Sequence, residues 1–283
     1  MSKLFADVGI LGCGPSALVA ANALHKMGHQ VRLFSKPDLT GKPRPSFIAG
    51  AQYSHEAVLG LNDPTRPDAL VQVERHGTRD GYAKKVYGDP QAPVSWDRYQ
   101  DAEYPAWNLR RIYRNLWNTW QTRVMPLEIQ SLSTRFLAEE GYLFAWHEDR
   151  ALKVHCDAWI STIPLERLCF NLGHQFINQT VHITQYEDSP QQDRIVYNGE
   201  DSPGWYRCSH LFGHTAYEYS GDKRPPLEGI RTITKPVTTN CDCYAQPKVP
   251  MLMTGRYGRW DKNVLVDTVQ DEALDFSVKL REL

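Results

Sequence analysis

The sequence predicts an α/β fold organised around a parallel sheet. Three observations predict it. Residues 7–36 read as strand, glycine turn, helix and strand; residues 156–168 read as a strand that leads through Pro164 into a short helix; residues 251–280 read as strand, glycine loop and helix. The first and last of these stand at opposite ends of the 283 residues, so the sheet is expected to draw strands from both.

The opening stretch is "DVGILGCGPSALVAANALHKMGHQVRLFSK". Asp7 to Leu11 is a short apolar run, as a buried parallel strand requires. Gly12, Gly14 and Ala17 follow with the G-x-G-x-x-G/A spacing. Gly12 permits the tight turn, Gly14 lets the backbone approach a pyrophosphate, and Ala17 lets helix and strand pack closely. The helix, about Pro15 to Met27, has proline near its first turn and Gly28 after its end. Its N-terminus, around Ser16, offers free N–H groups to an anion. Val31 to Phe34 supplies the second strand. Together these make a Rossmann-like dinucleotide unit, with the pyrophosphate expected at Gly12, Gly14 and Ser16, and Pro15 and Ala17 among the cofactor-binding residues. One part departs from the pattern. The second strand should end in an acid that bonds the adenosine ribose, and here Ser35 and Lys36 follow instead. Ser35 can still bond a hydroxyl. Lys36 suits a ribose 2′-phosphate, which keeps NADP open at this point.

Composition narrows the field. Hydrophobic residues are 41%, enough for a core, and a net charge of −1 demands neither an acidic nor a basic partner, so any nucleic-acid footprint has to be local. Six cysteines form no framework; Cys241 and Cys243 make a C-x-C with no second pair at zinc-finger spacing, so reduced thiols and no metal are expected. No basic-then-apolar leader precedes the first strand and no apolar run approaches the roughly 20 residues of a membrane span, so a cytoplasmic protein without a membrane partner is expected.

Between the ends, residues 37–95 are rich in proline, glycine and charge and read as loops and short strands. Further strands are expected at 142–146, 152–155, 181–186, 194–198 and 205–219. A helix is expected near 104–124. Leu109, Ile112, Tyr113, Leu116, Trp117 and Trp120 recur there at helical spacing, while Arg110, Arg111, Arg114 and Arg123 lie off that face. Core packing with a solvated basic face is the plainer reading. An anion-binding face, with Trp96, Tyr99, Tyr104 or Trp107 stacking on a base, is the sharper one.

The stretch "MLMTGRYGRWDKNVLVDTVQDEALDFSVKL", residues 251–280, resembles the carboxy-terminal flavin motif of the amine oxidase and UDP-galactopyranose mutase group. Gly255, Arg256 and Gly258 match its G-R-x-G turn, and Asp261 falls where loop hands over to helix. "CDAWISTIPLERL", residues 156–168, is similar to the group's returning strand, and "SPGWYRCSHLFGH", residues 202–214, resembles a strand of the mutases. The resemblance implies non-covalent FAD rather than NADP. It also implies a GR2-type Rossmann-like FAD domain from 1–50, 150–175 and 230–283, with a small cap of mixed sheet and helix from 51–149 and 176–229. Ser161, Thr162, Gly255, Arg256 and Asp261 are expected along the cofactor. The group's Arg-x-Gly-Gly stretch is absent; Gly50, Ala51 and Gln52 stand in its place.

What the resemblance implies about chemistry is oxidation at a carbon–nitrogen bond. Tyr53 and His55 are the candidate polar groups near the flavin, with His55 as base, and Lys235 or Lys248 is the candidate for a lysine-held water. Arg207, Arg110, Arg114 and Trp107 are the candidate substrate contacts. Three functions are carried: an oxidase or oxidative lyase acting on an amine or amino-acid group, similar to the compact flavoproteins of phage DNA hypermodification and their thymine adducts; a mutase-like enzyme on a nucleotide sugar; and a non-catalytic flavin- or nucleotide-binding protein.

Overall fold

The computed structural model describes residues 3–37, 53–94, 96, 103–127, 137, 139–147, 150–187, 192–221, 223–225 and 228–282. The chain forms two compact units. One comprises Met1–Ser46, Arg111–Ile177 and Pro236–Leu283, the other Phe47–Arg110 and Asn178–Lys235. Among the described residues no helix is long and apolar enough to cross a membrane.

The first unit is the predicted α/β layer. Its elements are β1 (Lys3–Leu11), α1 (Pro15–Lys26), β2 (Val31–Ser35), the greater part of α3 (Leu109–Trp120), β6 (Val124–Pro126), β7 (Tyr142–His147), β8 (Arg150–Ser161), α4 (Leu165–Leu168), β14 (Met251–Met253), α5 (Gly255–Arg259) and α6 (Val266–Arg281). The sheet runs β14-β8-β1-β2-β6, with β7 paired to β8. All pairs on that path are parallel and β7 is antiparallel. Val8, Ile10 and Leu11 of β1 are fully buried, as are Ile160 and Trp159 of β8. Strands covered on both faces need such continuous apolar runs, which is why the first strand is legible as a parallel one. α1 buries Ala17, Leu18, Ala20, Ala21 and Leu24. Each wholly buried leucine contributes about 1.5–3 kcal/mol.

The second unit contains β3 (Tyr53–Ser54), β4 (Ala69–Gly77), α2 (Arg79–Tyr87), β5 (Tyr104–Asn108), β10 (Arg194–Gly199), β11 (Arg207–Leu211), β12 (His214–Ser220) and most of β9 (Phe176–Glu187), together with the first part of β13 (Arg231–Thr239). The sheet order is β13-β9-β12-β11-β10-β4-β5-β3. Tyr82, Trp96, Tyr197 and Tyr206 build much of its core, Tyr82 lying 5.3 Å from Trp96 and 5.3 Å from Tyr197.

Several expectations need correction. The helix expected near 104–124 is β5, then α3, then one tight turn at Gln121–Arg123. Tyr104, Pro105 and Ala106 pair with β4, Trp107 pairs with Ser54 of β3, and Pro105 does not suit a helix interior. The run 205–219 is a hairpin, β11 and β12, broken at Phe212 and Gly213, which both adopt positive φ. Residues 37–95 hold a nine-residue strand and a nine-residue helix; Thr78 caps that helix by accepting from the Gly81 N–H. Residues 111–149 were expected in the cap, but the described ones belong with the first unit, because β6 extends the sheet beside β2 and β7 beside β8.

Candidate functional site

The glycine turn after β1 has the shape its spacing predicts. Gly12 has φ +116, and a Cβ there would lie 2.4 Å from Thr162 Oγ1. Its N–H donates to the Phe34 carbonyl at 2.8 Å. Thr162 returns both its N–H and its hydroxyl to the Leu11 carbonyl, each at 3.0 Å. The end of β8 therefore locks the end of β1. Gly14 is the N-cap of α1, Pro15 follows it, no side chain caps the helix, and its first turn carries no acid. Uncapped N–H groups with a positive dipole end favour an anion.

The carboxy-terminal turn stands directly against this one. Gly255 has φ +74, and a Cβ on it would come 2.8 Å from Ser16 Oγ. Gly258 is equally tight: a Cβ would come 2.4 Å from the Ser161 carbonyl oxygen. Thr254 donates its N–H to that same carbonyl at 3.0 Å. Its hydroxyl bonds Glu272 of α6, which also receives Arg259 at 2.6 Å. So the last helix pins the turn. The expected loop from Gly255 into the long helix is instead the short helix α5, which Trp260 ends in a left-handed conformation. Asp261 then accepts the Asn263 N–H at 2.8 Å, ahead of α6. The Ser161 hydroxyl is wholly buried and without a hydrogen-bond partner among the described residues. A buried, unsatisfied hydroxyl beside two glycine turns fits a site that awaits a polar ligand.

The structure thus brings together Gly12 with Thr162, Ser16 with Gly255, and Ser161 with Gly258. Ser35 lies 3.0 Å from Cys13 Sγ, and Lys36 is exposed just past the end of β2. Sequence reasoning missed Tyr113, whose hydroxyl donates to the Cys13 carbonyl at 3.1 Å and so ties α3 to the glycine turn. The helical stripe places Tyr113 on the apolar face; only its hydroxyl carries a further signal. Gly50, Ala51 and Gln52 lie outside the described residues.

The remaining candidates belong to the second unit, except Arg114, which is exposed on α3. Tyr53 bonds Tyr104 hydroxyl to hydroxyl at 2.9 Å, and the His55 ring centre stands 4.8 Å from that of Tyr53 and 5.4 Å from that of Tyr104. Burial foremost, then the neighbouring Tyr53, pushes the Tyr104 phenol far above its ordinary value. Trp107 and Trp96 are core side chains, 4% and 8% exposed. Arg110 donates to Gln185. Arg207 and Lys235 converge on Glu218, which Lys235 reaches at 2.7 Å and the Tyr206 hydroxyl at 2.8 Å. Burial alone would raise the Glu218 carboxyl; the two cations and the Lys235 and Tyr206 bonds outweigh it and hold the group at about 2. Arg207 and Lys235, expected at substrate and cofactor, are thus partners in one buried ion cluster.

No family model matches the chain, and no curated protein sequence matches it. Solved structures do. A geranylgeranyl bacteriochlorophyll reductase-like protein from Thermoplasma acidophilum matches with a TM-score of 0.57 at 11% identity, over 99% of this chain and 79% of that one. The flavin-dependent brominase Bmp2 matches with 0.57 at 10% identity, over 99% of this chain and 80% of that one. A tetrameric 2-methyl-3-hydroxypyridine-5-carboxylic acid oxygenase matches with 0.57 at 12% identity, over 100% of this chain and 82% of that one. At such identities the likeness shows the fold: a Rossmann-type α/β fold shared with these proteins along nearly the whole chain.

Proposed function

We propose that this chain is an FAD-dependent oxidoreductase. The observation that carries the reading is the meeting of the two glycine turns, Gly255 against Ser16, which a protein holding only a nicotinamide dinucleotide at its first turn does not require. The residues present fit FAD: two turns where a Cβ would fill the space, an uncapped helix N-terminus, and the unsatisfied Ser161 hydroxyl. Gly12, Gly14, Pro15, Ser16 and Ala17 would receive the pyrophosphate. Ser35 and Lys36 would stand near the adenosine ribose. Ser161, Thr162, Gly255, Arg256 and Asp261 would line the rest. FAD, when bound, supplies the hydride acceptance that none of the side chains can. The chain's own part is binding, exclusion of water and proton handling.

The finer reading is an oxidase or oxidative lyase acting on a carbon–nitrogen bond of an amine or amino-acid group. The sequence resemblance supports it, as does the His55–Tyr53–Tyr104 cluster, where His55 would accept a substrate proton. An amine carried on thymine in phage DNA is the bulkier form of that substrate, with exposed Arg111 and Arg114 facing phosphate. The brominase and oxygenase among the similar structures favour a second reading, oxygen-dependent attack on an aromatic substrate.

Purified protein is expected to be yellow and to release FAD on denaturation. Gly12→Val should abolish FAD while leaving the circular dichroism of the second unit's sheet. A folded, colourless protein that takes up no FAD when supplied overturns the assignment. Anaerobic bleaching by an amine or amino-acid panel supports carbon–nitrogen chemistry. Bleaching only by a nicotinamide dinucleotide supports the second reading.

A further inference from the structure

Four side chains of the first unit that contribute nothing to either glycine turn come together from two distant segments. Cys169 and His174 lie between α4 and β9; Cys241 and Cys243 follow β13. Their ligand atoms all lie within 4.8 Å of one another. Cys169 Sγ is 3.7 Å from Cys243 Sγ, and His174 Nδ1 is 3.3 Å from Cys169 Sγ and 3.6 Å from Cys243 Sγ. A tetrahedral ion with bonds of about 2.3 Å to sulfur and about 2.0 Å to nitrogen sets two sulfurs about 3.8 Å apart, and a sulfur and a nitrogen about 3.5 Å apart. The three separations among Cys169, His174 and Cys243 agree with that geometry within a few tenths of an ångström, and Cys241 Sγ stands within 4.8 Å of each.

The surroundings point the same way. His174 turns Nδ1 to the sulfurs, and its Nε2 lies 3.1 Å from Asn171 Nδ2 and 3.4 Å from Asp242 Oδ1. A metal-bound imidazole commonly donates its other N–H to a carboxylate in this way. None of the six cysteines is in a disulfide. Thiols are weak hydrogen-bonding groups, so three of them facing one imidazole give little to hold two loops together. A shared cation does. The loops are otherwise laced at their edges: Thr239 donates to the Gln175 carbonyl at 2.7 Å, the Gln175 N–H to Asn240 at 2.7 Å, and Tyr244 to the Leu168 carbonyl at 3.1 Å. These bonds fix the approach of both segments and leave the four ligand atoms turned towards one point.

We propose that Cys169, His174, Cys241 and Cys243 bind one Zn²⁺ ion as a closed structural site. Four protein ligands leave no open position, so the ion does no chemistry on substrate. Thiolate and imidazole ligands select zinc over magnesium or calcium. On binding, each cysteine gives its thiol proton to solvent and His174 stays neutral, its remaining proton directed at Asp242. The ion clamps the chain entering β9 to the segment that leads into β14 and the second glycine turn.

The whole chain, purified under reducing conditions without chelator, should carry one zinc per protein by elemental analysis. A mercurial thiol reagent should release it, as read with a zinc-sensitive dye. Cobalt substitution should give the intense visible bands of tetrahedral thiolate coordination. Cys243→Ser and His174→Gln should lower zinc from one per chain to near none, Asp242→Ala should weaken zinc binding about tenfold or more, and Cys208→Ser, on another strand, should leave it intact. Should the ligand variants fail to fold, the cobalt spectrum of the unmodified chain decides. Zinc well below one per chain after growth with added zinc, an octahedral cobalt spectrum, iron in place of zinc, or a disulfide joining two of the three cysteines in non-reduced peptide mapping would each overturn the proposal.

Discussion

Glu218 is 3% exposed yet ionised, and its environment explains why. Its folded value of about 2 lies below the ordinary 4.5. The stabilisation it carries is therefore complete above about pH 4.5 and is lost as pH falls through about 2. Glu218→Gln keeps the volume but leaves Arg207 and Lys235 without their counter-charge, at a cost of about 3–5 kcal/mol. Urea unfolding as a function of pH checks both: the native chain should weaken between those values, and the variant should start weaker and lose that part of the slope. This cluster was not legible in the sequence. Arg207, Glu218 and Lys235 sit on three separate strands, and nothing in their spacing announces a shared centre. Gly12, by contrast, was legible, because a left-handed turn and close approach leave few residue types to choose from.

At the scale of elements, legibility followed the strength of the local pattern. The bounds of α1 and β2 are legible to within a residue, since a glycine turn and a helical stripe succeed one another without competing signals, whereas β1 begins at Lys3, four residues before the apolar run that marks it. β8 (Arg150–Ser161) merges the strand expected at 152–155 with the returning strand expected after it, and the Thr-Ile-Pro ending marks where α4 follows. The β11–β12 hairpin was read as one strand, because Phe212–Gly213 lacks the usual Asn-Gly or Asp-Gly signature. For α3, the 3.6-residue stripe identified the buried face correctly: Leu109, Ile112, Tyr113, Leu116 and Trp120 are all nearly inaccessible. Its outer face keeps Arg111 and Arg114 exposed. If DNA is the substrate, replacing both by alanine should reduce the salt dependence of binding by roughly 1.8 in the log–log slope, about 0.9 per lost phosphate contact. Fluorescence anisotropy across a salt series measures this; an unchanged slope removes the helix from any DNA interface. The metal cluster escaped because its two ligand segments are some seventy positions apart and the C-x-C alone has no partner pair nearby.

For the whole molecule, the sequence resemblance anticipated a nucleotide unit drawn from both chain ends, and the sheet order β14-β8-β1-β2-β6 has that composition. It placed the described part of 111–149 with the wrong unit, because the strands of that stretch are short and declare no partner until the sheet is assembled. A cofactor held by both ends stabilises the folded chain by mass action, by about 2.7 kcal/mol when free FAD is 100 times its dissociation constant. Differential scanning fluorimetry should show Tm rising with added FAD in the native chain and holding constant in Gly12→Val. A native chain indifferent to FAD would contradict the cofactor reading at this scale.

The position of β14 also bears on how the protein is made. β7 covers only the first half of β8, and Trp159, Ile160 and Ser161 find their outer neighbour in Met251, Leu252 and Met253. That neighbour is made only some ninety residues after the end of β8. Until then the nascent polypeptide shows an open, apolar sheet edge, the surface on which chaperones act and on which premature stop codons would leave the product prone to clumping.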